Sequence, residues 1–336
     1  MSIFSTSSGC IASMMTRPTL RWILFLATCV CFSLMGQGTY FVVSFAYAVN
    51  DNNRTTTSDY RLDDSYLNEF VNVSDEAAAL PKKGKILCWL LTSEKYHDTR
   101  AQAVNETWLG RCDHGVFFTN APFKKDKKIP YRTVFAEIPD LYSNLFFKTR
   151  YALYYISEVL QADFDWYVKA DDDAYIVMEN LRAYLDTLDP TKPYYLGHRM
   201  KPYLEKGYNS GGGGYVLSRK ALELFAWNAY NNASICPVDG FEDVGIGRCF
   251  ANLGIFPHST VNERGQQRFN AYHPRLTLEG WEGHTDWIYD PLITGFDGIA
   301  EDLISFHHLS PMEIRLFDML LYRVKIATNT TYRKER

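Results

Sequence analysis

Trp166-Tyr-Val-Lys-Ala-Asp-Asp-Asp-Ala-Tyr-Ile-Val177 sets three consecutive carboxylates between two apolar runs. The first run is short, aromatic and β-branched, so it reads as a buried strand, and the carboxylates fall where that strand gives out. Like charges this close repel and raise one another's pKa unless something positive joins them. A hydrated surface turn is one reading of the cluster and a bound metal ion is the other. On extended backbone alternate side chains share a face, which puts Asp171 and Asp173 together and sends Asp172 elsewhere. Two hard oxygen donors suit Mg²⁺ or Mn²⁺, whose other positions are filled by water and substrate phosphates.

Outward from this stretch the pattern alternates. Residues 85–92 form a compact apolar run of strand length, followed by a helical pattern over 99–109 and a short strand over 115–119. Helices are expected over 145–160, 178–188, 219–230 and, briefly, 244–253, with a strand over 194–197. Strands alternating with helices predict an α/β layered domain with a largely parallel sheet. Ligands of such sheets collect at the carboxyl ends of strands, where the aspartates lie.

The 336 residues, 46% of them hydrophobic, can bury a core in one large domain or two small ones. Lys and Arg number 35 against 39 acids and form no long run, which excludes a nucleic-acid tracker with a basic stripe. Trp22 to Val49 carries no charge, a span longer than the roughly 20 residues a bilayer helix needs. A cleavage site at Ser44–Ala46 or Ala46–Ala48 is the alternative to an anchor. Arg17 and Arg21 precede the span, so the positive-inside rule keeps the amino terminus cytosolic. The expected organisation is a cytoplasmic tail over 1–21, a type II transmembrane anchor over 22–49, a polar lumenal stem over 50–84, a catalytic domain over 85–325 and a tail over 326–336.

Five Asn-x-Ser/Thr sequons, at Asn53, Asn72, Asn105, Asn232 and Asn329, suit the lumenal side. Of seven cysteines, Cys10, Cys29 and Cys31 lie before or within the anchor. The remaining four allow three disulfide pairings, of which the local one, Cys88–Cys112 with Cys236–Cys249, is expected. No C-x-x-C spacing supports a zinc site.

Four segments occur in one order: Tyr142-Ser-Asn-Leu-Phe-Phe-Lys-Thr149, Tyr167-Val-Lys-Ala-Asp-Asp-Asp-Ala-Tyr175, Ser210-Gly-Gly-Gly-Gly-Tyr-Val-Leu-Ser218 and Phe241-Glu-Asp-Val-Gly-Ile-Gly247. Together they resemble the inverting β1,3-glycosyltransferases. Cys88-Trp-Leu-Leu-Thr92, Thr107-Trp108, Arg111-Cys112, Gly247-Arg-Cys249 and Ser305-Phe-His307 extend the resemblance to the core 1 β1,3-galactosyltransferases. It covers residues 85–325 and implies a GT-A fold, a UDP-galactose donor, Mn²⁺ and a GalNAc-bearing glycoprotein or glycopeptide acceptor. It also implies residence in the Golgi membrane as a single-pass type II protein, with a homodimer as an optional assembly.

The resemblance implies roles for particular residues. Asp173 matches the direct metal ligand, with Asp171 binding through water or holding the ribose. His307 matches the distant histidine ligand, with the neighbouring His308 as its competitor and a purely structural histidine as the other reading. Thr92, Arg100, Lys148, Asp171 and Asp172 are expected to face the nucleotide. In Gly211–Gly214, missing side chains let backbone approach a sugar, or else make a flexible loop. Gly212, Gly213, Tyr215 and Glu242 are therefore expected at the substrate. Asp243 matches the catalytic base, and an acid favoured by a helix N-terminus is its plainer reading. One departure stands out: Gly298-Ile-Ala-Glu-Asp302 occupies the place where the core 1 family often carries a Cys-Cys pair, and the acceptor-side loop 278–296 diverges. That leaves the acceptor open, with a related β1,3-transferase of other donor or acceptor, or a non-catalytic lectin- or chaperone-like relative, as alternatives.

Overall fold

A computed structural model describes residues 71–124, 128–280 and 285–325. The expected tail 1–21, anchor 22–49, most of the stem, Asn53, Asn329 and residues 326–336 lie outside the described residues. Among the described residues no helix is long and apolar enough to cross a membrane.

In chain order the strands are β1 (Lys83–Leu91), β2 (His114–Phe118), β3 (Tyr131–Arg132), β4 (Asp163–Asp171) and β5 (Tyr175–Ile176). After them come β6 (Tyr195–Gly197), β7 (Arg199–Met200), β8 (Tyr208–Asn209), β9 (Tyr215–Ser218), β10 (Pro257–His258) and β11 (Ser305–Phe306). The main sheet has the order β10-β6-β9-β4-β1-β2-β3. All its pairings are parallel except those of β9, which runs antiparallel to both β4 and β6. The expected largely parallel sheet is present with one reversed strand, making it mixed.

The period-2 pattern of β1 sorts its side chains into two cores. Leu87, Trp89 and Leu91 enter one, together with Phe146, Leu153, Leu222 and Phe250; Ile86, Cys88 and Leu90 enter the other, with Val104, Leu181 and Ile314. The sheet is thus covered by helices on both faces, which is why its central strands read as continuous apolar runs. Helices Leu145–Tyr154, Arg219–Leu224 and Glu242–Asn252 lie over the first face, and Met178–Leu185 and Pro311–Tyr322 over the second.

Two features correct the sequence reading. Residues 71–84, assigned to the stem, belong to the folded unit: Ser74 caps the helix Asp75–Ala79, Ala77 is fully buried and Arg132 donates to its carbonyl at 3.2 Å. The helix Pro311–Tyr322 was not anticipated, although Ser310 and Glu313 form a capping box and Pro311 sits at its first position. Both disulfides follow the expected local pairing, with Cα separations of 6.0 Å for Cys88–Cys112 and 4.3 Å for Cys236–Cys249. Of the described sequons, Asn72 and Asn232 are exposed, and Asn105 is half-buried with its amide donating to the Lys128 carbonyl at 3.4 Å.

Candidate functional site

The site forms where β4 ends. Lys169, the single cation of β4, is buried and shares a face with Asp171 two residues on, so its ammonium donates to Asp171 at 2.6 Å and to the Gly211 carbonyl at 3.1 Å. Glu242 Oε2 stands 3.8 Å from the same ammonium. Burial pulls this lysine's pKa down, but the charges of Asp171 and Glu242 hold it above the ordinary range. Beyond Asp171 the strand stops and the chain turns. Asp172 accepts from the Thr92 hydroxyl at 2.7 Å, and Arg100 stands 3.3 Å from Asp172 and 3.1 Å from Asp173. Burial pushes the Asp172 carboxyl up to about 7, with Thr92 and Arg100 opposing and Asp173 adding to the rise.

His307 arrives from the far end of the chain. β11 pairs antiparallel with β5, just after the aspartates, so the residue following Phe306 is carried to them. Its Nδ1 meets the Ala271 carbonyl at 3.0 Å, which presents Nε2 to Asp173 at 3.0 Å and to Asp171 at 3.9 Å. The grouping of Asp171 with Asp173 expected from alternation holds at His307, even though regular strand ends at Asp171. Burial lowers the His307 pKa, but the bond to Asp173 and the Asp171 charge hold it above its ordinary value. His308, exposed and at φ 61°, stacks on His307 at 3.8 Å. Donor atoms of Asp173, His307 and His308 all lie within 4.8 Å of one another. Carboxylate oxygen and imidazole nitrogen at that spacing, with the second nitrogen of His307 tied to a carbonyl, fit a divalent cation such as Mn²⁺.

The glycine run explains itself by what surrounds it. A Cβ on Gly212 would lie 2.0 Å from the His307 ring, and one on Gly211 would lie 2.2 Å from Glu242 Oε2. The run crosses the carboxyl end of β4, where the Asp171 amide meets the Gly212 carbonyl at 3.4 Å, before β9 descends antiparallel.

Two adjoining cavities open over these groups. The first, about 400 Å³, is lined by Thr92, Arg100, Lys148, the three aspartates and His307. Lys148 reaches it while donating to Asp140 at 2.6 Å. The second, about 340 Å³, holds Ser210, Gly212, Glu242, Asp243, Tyr272 and Trp287. Asp171, His307, Tyr142 and Leu145 line both.

Asp243 lies in the first turn of the helix Glu242–Asn252, where the Val244 amide donates to it at 2.9 Å. Burial raises its pKa, with that amide opposing. Glu242 is only 9% exposed, and its Oε1 has no hydrogen-bond partner among the described residues. Burial pushes this carboxyl up to about 7, with Lys169 opposing and Asp243 adding to the rise.

The structure brings together all the expected site residues except two. Tyr215 is fully buried in the sheet below the cleft, its ring 6.0 Å from the Lys169 ammonium, and lines neither cavity. Gly213 packs on the backbone of Asn270 and Ala271, and its carbonyl accepts from Ser305 at 2.6 Å. Sequence reasoning missed Lys169, whose signal is a lone lysine inside an apolar strand two residues before an aspartate. It also missed Tyr142, Tyr272 and Trp287, which carry no local signature beyond being aromatic.

The carboxyl end of the mixed sheet thus bears a cation-fitting Asp/His group in one cavity and a partly buried carboxylate at a helix start in the next. Residues 82–278 match the Fringe-like family, to which the chain belongs. Glycoprotein-N-acetylgalactosamine 3-beta-galactosyltransferase 1 of Xenopus laevis is 31% identical over 266 residues, covering 77% of this chain and 71% of that one. Beta-1,3-glucosyltransferase of Homo sapiens is 30% identical over 229 residues, covering 65% of this chain but 43% of that one. Among solved structures, galactosyltransferase LgtC in complex with donor and acceptor sugar analogs aligns with a TM-score of 0.41 at 14% identity, over 71% of this chain and 97% of that one.

Proposed function

We propose that the protein transfers galactose from UDP-galactose to the 3-hydroxyl of an O-linked GalNAc on Ser or Thr of a glycoprotein, with inversion, from the lumenal side of the Golgi membrane. The observation that carries this reading is the pair of adjoining cavities with Asp171 and His307 on their shared wall and Asp243 in the second alone.

Inversion needs a base on the face of the sugar opposite the leaving group, so the base and the diphosphate site must be neighbours without coinciding. Asp173 and His307 would hold Mn²⁺. When bound, that ion stabilises the negative charge of the departing diphosphate. Arg100 and Lys169 fix the carboxylates around it, and Thr92 keeps Asp172 turned to the first cavity. Asp243 accepts the proton of the acceptor hydroxyl, and its raised pKa strengthens it as a base near neutral pH. Met200, Tyr272 and Trp287 wall the second cavity with apolar surface that limits water. The 31% identity to a glycoprotein-N-acetylgalactosamine 3-beta-galactosyltransferase supports this donor and acceptor, and the charge-free span 22–49 supports the anchor.

The test uses the full chain in detergent with UDP-galactose and a GalNAc-peptide, before and after chelation and Mn²⁺ repletion, with the product linkage read by NMR. A Gal-β1,3-GalNAc product that vanishes on chelation is expected. Turnover with UDP-GlcNAc, UDP-glucose or UDP-glucuronate instead would replace the donor, and UDP binding without turnover would mark a non-catalytic relative.

A further inference from the structure

A third cavity, about 370 Å³, lies at the other end of β4, between the turn after the helix Leu145–Tyr154 and the helix Arg219–Leu224. Asp163 at the start of β4 lines it, whereas Asp171 at the strand's end lines the catalytic cleft. Eight residue steps at about 3.3 Å separate them by about 26 Å. The two sites therefore cannot share one sugar.

Trp227 is the cavity's principal apolar wall. It is 66% exposed, whereas Trp89, Trp108 and Trp166 are at most 1% exposed. The Lys220 ammonium stands 5.8 Å from its ring centroid. Around the ring stand Glu158, Gln161, Asp163, Glu223 and Arg219. Arg219 pairs with Asp165 and lies 3.9 Å from Asp163, and its Nε is buried without a hydrogen-bond partner among the described residues. An indole face offers apolar contact to the C–H face of a pyranose. Carboxylates accept from sugar hydroxyls, while the Gln161 amide and the guanidinium donate to ring and carbonyl oxygens. An aromatic wall with a few polar groups around it is the make-up of a small-ligand site. Three carboxylates (Glu158, Asp163, Glu223) against one cation (Arg219) in the cavity's lining disfavour an anionic ligand.

We propose that this cavity is a second carbohydrate-binding site, taking a neutral hexose or N-acetylhexosamine at the end of a glycan. Its occupancy does not depend on which sugar the catalytic cleft transfers. On an acceptor bearing several glycans it tethers one while another enters the cleft, raising the effective concentration of the second.

The experiment titrates the full-length protein in detergent with the methyl glycosides of galactose, GlcNAc and GalNAc, and with N-acetylneuraminic acid, by calorimetry and tryptophan fluorescence. Saturable binding of a neutral glycoside is expected, with little for the anionic sugar, and one component should disappear in Trp227→Ala. Glu223→Gln, which keeps the indole, should weaken that component about tenfold, and Trp227→Phe should retain part of it. UDP binding and melting temperature serve as checks of the fold. If Trp227→Ala loses them, the Phe and Gln variants decide. Isotherms alike in the parent and the folded variants, or preference for the anionic sugar, would overturn the proposal. A further readout is transfer: KM for a peptide with several GalNAc residues should rise in Trp227→Ala, while KM for a single-GalNAc peptide stays put. Absence of any transfer with Trp227-dependent binding intact would defeat the proposed function and leave this site standing.

Discussion

Gly212→Ala adds one methyl group and removes no ligand, yet it should impair metal-dependent nucleotide binding. The new Cβ would sit 2.0 Å from His307 Cε1 and 2.3 Å from Nε2. Reaching ordinary contact at 3.4 Å requires the ring or the strap to give by about 1.4 Å. The ring has little freedom to yield, because its Nδ1 is tied to Ala271 at 3.0 Å and His308 stacks on its face at 3.8 Å. A shift of that size takes the Nδ1 contact beyond hydrogen-bonding range and turns Nε2 away from Asp173. Losing the group that orients a metal ligand typically costs about 10- to 100-fold in metal affinity, or about 1.4–2.7 kcal/mol. Calorimetry of Mn²⁺ binding in the presence of UDP should show that loss. Gly110→Ala, with nothing within 4 Å of its added Cβ, is the matched control. Mn²⁺ affinity within twofold of the parent in a folded Gly212→Ala protein would refute the assignment of His307 as a ligand.

Asp243→Asn should keep UDP affinity and melting temperature while kcat on a GalNAc-peptide falls by about 10²- to 10⁴-fold, with Glu242→Gln costing less; near-normal kcat in Asp243→Asn would remove it from the mechanism. Replacing either disulfide pair by alanines should lower stability by about 3 kcal/mol in the chain-entropy model, read by chemical denaturation, for loops whose ends are 24 and 13 residues apart. His114, buried with Nδ1 on the Pro81 carbonyl at 2.7 Å, is pushed down to about 4 by burial. Its folded pKa is below the unfolded 6.5, so its contribution to stability is present above pH 6.5 and is lost as pH falls toward 4, by up to about 3 kcal/mol. Denaturation midpoints of the parent and of His114→Gln between pH 7 and 4.5 should therefore diverge, and parallel curves would exclude the effect.

The layered sheet could be read from sequence because both faces of β1 and β4 are covered, and burial on two sides writes an apolar run that few other structures need. Asp171 to Asp173 were legible for the complementary reason, as charges packed where such a run stops. The reversal of β9 was hidden: Tyr215–Ser218 has the same composition whichever way it runs, and its direction follows from the glycine strap crossing the end of β4. Tyr215, expected at the substrate, lies in the core instead, because following the glycine run in sequence does not decide whether its ring meets the cleft or the core. The helix Pro311–Tyr322 carried its capping box in plain view, but Met312, Leu316, Met319 and Leu320 leave an apolar stripe exposed, so its hydrophobic spacing does not single out a buried face. His307 joins Asp173 through the pairing of β11 with β5 and the Leu309 amide on the Asp173 carbonyl at 2.9 Å, contacts between residues more than a hundred positions apart.

The shared wall between the two cavities ties the two halves of the chain together. Thr92, Arg100, Lys148 and the aspartates around the first cavity precede residue 174, and Ser210, Gly212, Asp243, Tyr272 and Trp287 around the second follow residue 209, but His307 and His308 from the later segment line both. A mutation in the later segment that presses on His307, as at Gly212, therefore also alters the first cavity, whereas one at Tyr272 or Trp287 reshapes the second alone. In the 298–302 region Arg268 and Asn262 hold Asp302 at 2.6 and 3.2 Å, away from both cavities. Descendants of such a protein can change what enters the second cavity by editing Tyr272 or Trp287, whereas a recombination point between residues 174 and 209 would part Asp173 from His307 and His308.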